Sequence, residues 1–184
     1  MPDFITAPCN KPNGNCQKQG VVCKETTNAQ RFGLCDDRSD ERLPARINKT
    51  DEGQWQLTIE NPLGKEVTFK AVDYCVDIYR IGNELIKRCE GFFLYDGNIL
   101  FVELKHSGYK GWLSDARLKF QETILAFKEN HPELTLSYLP PVVSNKLQYK
   151  TPQNLMIENQ QLVDAIGLEL KIRTKIEIDP TGSE

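Results

Sequence analysis

"LYDGNILFVELKHSG", residues 94–108, decides how the chain folds. Asp96-Gly97 is a dipeptide favoured in two-residue hairpin turns. The apolar run Ile99 to Val102 reads as a buried strand, yet Glu103 and Lys105 follow it with one leucine between them. Side chains alternate along a strand, so Glu103 and Lys105 share a face. Two registers are open. With Asp96-Gly97 as the turn, Tyr95 faces Asn98 and Glu90 lies opposite Glu103. With Gly97-Asn98 as the turn, Glu90 faces Lys105. Either way Glu90, Glu103 and Lys105 lie on one face.

Two facing carboxylates repel each other, and a divalent cation would remove that conflict. Mg²⁺ takes one or two carboxylates together with waters and phosphate oxygens. It polarises a phosphoryl oxygen and acidifies bound water. Lys105 can orient that water or neutralise charge building on phosphorus. The residue types therefore point to metal-assisted phosphodiester hydrolysis with Mg²⁺ or Mn²⁺. Asp96 lies about 20 Å along the strand from Glu103, so we read it as a turn residue.

Outward from the hairpin, "QWQLTIEN" alternates as a half-buried strand, and "EVTFKAVDYCVDIYRI" continues in β-rich residues as one bent strand or two. Downstream, Ser114 is a candidate cap for a helix carrying Leu118, Ile124, Leu125 and Phe127 on one stripe, ended by Pro132. "LTLSYLPP" reads as a strand, and "TPQNLMIENQQLVDAIG" as a short helix with Pro152 in its first turn. "LELKIRTKIEID" alternates as a strand with one wet face. This order predicts an α/β (α+β) sandwich around a mixed sheet. Residues 1–50 lack periodic apolar faces and read as a cysteine-rich, loop-rich segment that either wraps a domain of residues 51–184 or is held by its cysteines.

The stretch "KRCEGFFLYDGNILFVELKHSG" with the following "DARLKFQETI" resembles the PD-(D/E)xK nuclease superfamily. In that pattern a basic-Cys-acid segment opens the second core strand. A turn follows, then a strand ending in Glu-Leu-Lys, then a helix bearing a glutamine. The resemblance covers roughly residues 67–140. It implies a restriction-endonuclease-like mixed central sheet flanked by helices. It also implies Glu103 and Lys105 as the (D/E)xK pair, Glu90 in place of the usual Asp, a supporting Gln121, and Asp73 as a further acid near the metal. Two more expectations come with it: DNA as substrate, in defence against foreign DNA or in repair, and assembly as a homodimer or a larger defence complex. The alternative is a catalytically inactive nuclease-fold subunit that binds or assembles; a third reading is a cysteine-clamped interaction module.

Of 184 residues, 27% are charged and 39% hydrophobic, which suits one soluble globular domain. The net charge of −3 does not advertise nucleic-acid binding. Contact with a phosphate backbone would need a local basic patch, for which Lys110 and Lys119 are candidates. No apolar run reaches the ~20 residues that span a bilayer. The opening "MPDFITAPCNKPNGNC" lacks the features of a signal peptide, so a cytoplasmic location is expected. Four of six cysteines, Cys9, Cys16, Cys23 and Cys35, lie in the loop-rich segment. Thiols in a reducing compartment favour metal over disulfides. Structural zinc is the first reading, with free or paired cysteines next and an iron–sulfur cluster last.

Overall fold

The computed structural model describes residues 4–5, 22–36, 43–80, 82–106, 110–147 and 154–178. Its centre is the expected hairpin, β6 (Gly91–Tyr95) and β7 (Asn98–Lys105). Asp96 and Gly97 have φ of 46° and 75°, the pair of positive values that a tight primed turn requires. Tyr95 consequently pairs with Asn98 and Gly91 with Val102. This is the first of the two registers, and continuing it one step sets Glu90 against Glu103.

The hairpin sits inside a seven-stranded mixed sheet of order β1-β5-β6-β7-β9-β10. Antiparallel partners on one side are β5 (Val67–Ala71) and, beyond it, β1 (Lys24–Thr27). On the other side β7 meets parallel strands, first β8 (Ser137–Tyr138) and then β9 (Val142–Asn145). The Pro140-Pro141 pair separates them, because proline cannot donate to the ladder. Strand β10 (Lys171–Ile172) adds in parallel to β9. A second sheet has the order β11-β4-β2-β3, formed by Lys175–Glu177, Leu57–Glu60, Arg31–Cys35 and Arg46–Asn48.

Strand alternation assigns the layers. Phe92 and Phe101 pair across the hairpin and meet Phe127 of α1 (Trp112–Asn130), with ring centroids 5.3 and 5.7 Å from it. Phe93 points the other way, to Phe32 of β2 at 6.3 Å. Thus α1 covers one face of the large sheet and the small sheet covers the other. Helix α2 (Leu155–Ile166) packs along α1. Gly91 lies where β5 passes closest: a Cβ there would stand 2.3 Å from the Lys70 carbonyl oxygen.

The mixed α+β class agrees with the sequence. Several finer expectations do not. The first fifty residues are not all loop: β1 pairs with β5 and β2 with β4, so this segment joins both sheets. Among the described residues helices cover only one face of the central sheet. Ser114 is not the helix cap: Gly111 precedes α1, and Ser114 bonds Glu158 from within the helix. The single strand expected over 168–178 is split between two sheets. No helix among the described residues is long and apolar enough to cross a membrane.

The cysteine expectation also needs correction. Cys23 is disulfide-bonded to Cys75, so its sulfur cannot serve as a zinc thiolate. Cys35 is buried on β2, and Cys9 and Cys16 lie outside the described residues.

Candidate active site

Glu103 is the centre of the site, with none of its surface exposed. The odd-numbered face of β7 points to α1, so Glu103 and Lys105 emerge together beneath that helix. Lys105 Nζ lies 2.9 Å from Glu103 Oε1. The other oxygen, Oε2, accepts the backbone N–H of Glu90 at 3.1 Å, as the hairpin register dictates. Buried charges persist only when paired and hydrogen-bonded, and Glu103 meets both conditions.

Helix α1 adds two residues one turn apart. Asp115 Oδ2 accepts from Lys105 Nζ at 2.7 Å, and its Oδ1 accepts from Lys87 at the same distance. Lys119 donates to Glu103 Oε1 at 2.7 Å. Further along this face, the Thr123 hydroxyl accepts the Cys89 N–H at 3.0 Å. The spacing 115, 119, 123 is one helical stripe. Burial alone would raise the Asp115 pKa, but hydrogen bonds from Lys105 and Lys87 outweigh it and bring it down to about 2. Burial would likewise favour neutral Lys105 and Lys119, yet the Glu103 carboxylate overrides it and raises both.

Glu90 is the unbalanced member. It is 6% exposed, and its carboxylate accepts no hydrogen bond among the described residues. Burial raises its pKa well above the ordinary value, and Glu103 adds to the rise. A raised carboxyl pKa stabilises the fold below the unfolded value, 4.5 for this group, and that stability is lost as pH rises through the folded value. Glu90→Gln should therefore raise Tm by about 3 °C at pH 7.5 and leave it unchanged below pH 4. Thermal melts at the two pH values check this; an equal shift at both would disprove the ionisation as its cause.

The remaining expected residues lie apart from this centre. Asp73 Oδ1 accepts from Arg88 at 3.2 Å and from the Tyr74 N–H at 3.0 Å. Its charge still reaches Glu90 and raises that group's pKa further. The structure does not bring Gln121 to the cluster: its side-chain oxygen accepts from Arg117 at 2.8 Å, on the side of α1 toward α2. The helix residue that reaches Glu103 is Lys119. On the opposite face, a cavity of about 320 Å³ opens at the same end of β7, lined by Asp36, Trp55, Gln56, His106 and Lys146 among others.

Among the described residues no group of three or more His, Cys, Asp and Glu side chains is arranged to hold a metal ion. A two-carboxylate site suits Mg²⁺ nonetheless, since that ion keeps several waters and binds through one or two carboxylates plus phosphate. Glu90 supplies a carboxylate without a hydrogen-bond donor, and Glu103 a second within its electrostatic reach. Comparison with family models, with curated proteins and with solved structures returns no match.

Proposed function

We propose that this protein is a metal-dependent nuclease of the PD-(D/E)xK type, hydrolysing phosphodiester bonds of DNA in defence or repair. The observation that carries the reading is that buried Glu103 pairs with Lys105 under α1 and takes the Glu90 backbone N–H, with the buried Glu90 carboxylate within its electrostatic reach. A chance Glu-x-Lys on a strand is ordinarily a solvated surface pair. Here the glutamate is fully buried and the lysine is fixed from two sides, by Glu103 and Asp115.

Each side chain then has a task. Glu90 and Glu103 would hold a Mg²⁺ or Mn²⁺ ion, which supplies Lewis acidity toward a phosphoryl oxygen and an acidified water. Lys105, kept charged by its two carboxylate neighbours, would bring positive charge to the scissile phosphate. Asp115 is a positioning residue: it stops the Lys105 ammonium from collapsing wholly onto Glu103. The hairpin holds these groups on paired strands rather than on loops, which favours a fixed geometry.

A second reading, a non-catalytic binding or assembly subunit with the same fold, draws on a different observation. Lys119 already neutralises the acid pair, and Asp73 is occupied by Arg88. Incubation with plasmid and single-stranded DNA in Mg²⁺ or Mn²⁺ separates the two. Wild-type protein should cleave, and Glu103→Ala/Lys105→Ala should lose at least about 10³-fold in rate. Absence of cleavage by the wild type under all these conditions would favour the subunit reading; cleavage by the double variant would place the activity elsewhere.

A further inference from the structure

We propose that Lys119 is the site's resident counter-ion, exchanging with a divalent cation at Glu103 Oε1 so that metal loading requires its ammonium to swing out. The inference rests on the reading of Glu90 and Glu103 as metal ligands. It goes beyond that reading by assigning a residue that tunes metal affinity.

The charges set the problem. Glu103 Oε1 accepts two ammonium groups, Lys105 at 2.9 Å and Lys119 at 2.7 Å. Three ammonium groups, Lys87, Lys105 and Lys119, already crowd the carboxylates of Glu103 and Asp115. A dication would add two more positive charges beside a glutamate with no exposed surface. Charge repulsion at that depth is only weakly screened. One ammonium must leave.

Geometry selects which one. Lys105 is 9% exposed and tied to Asp115 as well as Glu103. Lys119 is 19% exposed, and among the described residues its ammonium pairs with Glu103 alone. Its stem, rooted on α1, is a flexible four-carbon chain, and the exposed portion gives it a route to solvent. Once displaced, the ammonium stands at the mouth of the site, where a phosphate-bearing strand would neutralise it. Binding of metal and of substrate would then reinforce each other, as reciprocal linkage requires.

The test is Mn²⁺ titration by calorimetry without nucleic acid, on wild type, Lys119→Met and Lys119→Arg. Lys119→Met should bind Mn²⁺ at least tenfold more tightly than wild type, and Lys119→Arg should not. Equal or weaker binding by Lys119→Met, or no binding by either, would overturn the proposal. Should Lys119→Met not fold, nitrogen-15-labelled lysine side chains in the wild type give a second readout. The Lys119 ammonium signal should shift to a solvent-exchanging position on Mg²⁺ saturation, and an unmoved signal would overturn the exchange. The outcomes also separate from those for catalysis. Tighter Mn²⁺ binding without cleavage keeps the counter-ion and removes the nuclease; cleavage with unchanged Mn²⁺ affinity does the reverse.

Discussion

Glu103→Ala should lower stability by about 3–5 kcal/mol, the usual cost of removing one partner from a buried ion pair. Three donors converge on this carboxylate: Lys105, Lys119 and the Glu90 N–H. Alanine leaves all three facing a void. Lys105 keeps Asp115, but Lys119 loses its hydrogen-bonding partner, and the buried N–H is left without an acceptor. For a chain of this length each kcal/mol corresponds to about 2–4 °C in Tm, so a fall of roughly 10 °C is expected. Glu103→Gln keeps the shape and one acceptor oxygen, and should lose about half as much. Thermal melts of the two variants beside wild type decide it. A Glu103→Ala melt within about 2 °C of wild type would mean that the carboxylate does not hold the end of the hairpin together. Because the alanine variant weakens the fold, its loss of cleavage should be read alongside Lys105→Met, where Lys119 still neutralises Glu103.

The hairpin was legible because its register has a local cause. Asp96-Gly97 selects the turn, the turn fixes Tyr95 against Asn98, and strict alternation carries that pairing to Glu90 and Glu103. Lys119 is legible in the sequence only as a candidate for a basic patch, not as a partner of Glu103. Its assignment needs the rotation of α1 about its axis, which depends on how Phe120 and Phe127 seat against the sheet. Gln121 stands two residues on, roughly 200° round the helix, and so cannot share Lys119's direction. A short motif gives the presence of a helix after the Glu-Leu-Lys strand, but not which of its faces meets that strand.

The other misreadings also have physical causes. Alternation over Leu168 to Ile178 is the same whether one sheet or two receives it. The crossing at Arg173 and Thr174, between β10 and β11, therefore leaves no periodic trace. In the first fifty residues, β1, β2 and β3 are three to five residues long. That is too short for a period of two to stand out from Gly- and Asn-rich surroundings. Their apolar anchors, Phe32, Leu34 and Ile47, become recognisable as core only when the large sheet behind them is known. In the sequence Cys75 is one more position in a β-rich run, and nothing local pairs it with a cysteine 52 residues earlier.

Removing that bond should have the second large effect. The Cys23–Cys75 disulfide spans 52 residues, and closing a loop of this size limits the unfolded chain by about 4 kcal/mol on chain-entropy grounds. Cys23→Ser/Cys75→Ser should therefore melt roughly 10 °C below wild type. Dithiothreitol should lower the wild-type Tm toward the same value while leaving the double variant unmoved. Mass spectrometry of the unreduced digest should recover the peptide pair joining Cys23 to Cys75. The effect should extend to the site. The Glu90 carbonyl accepts the N–H groups of Val72 and Asp73, at 2.8 and 3.4 Å, within the segment that Cys75 anchors. Freeing that segment loosens the backbone that carries Glu90, so metal affinity should fall along with Tm. The two cysteines are 1% and 0% exposed, so reduction should proceed through local opening and be slow under native conditions. Disulfides persist in oxidising compartments and are rare where thiols are kept reduced. A wild-type Tm indifferent to reductant, with no linked peptide recovered, would restore these sulfurs to the thiol state that a cytoplasmic setting maintains.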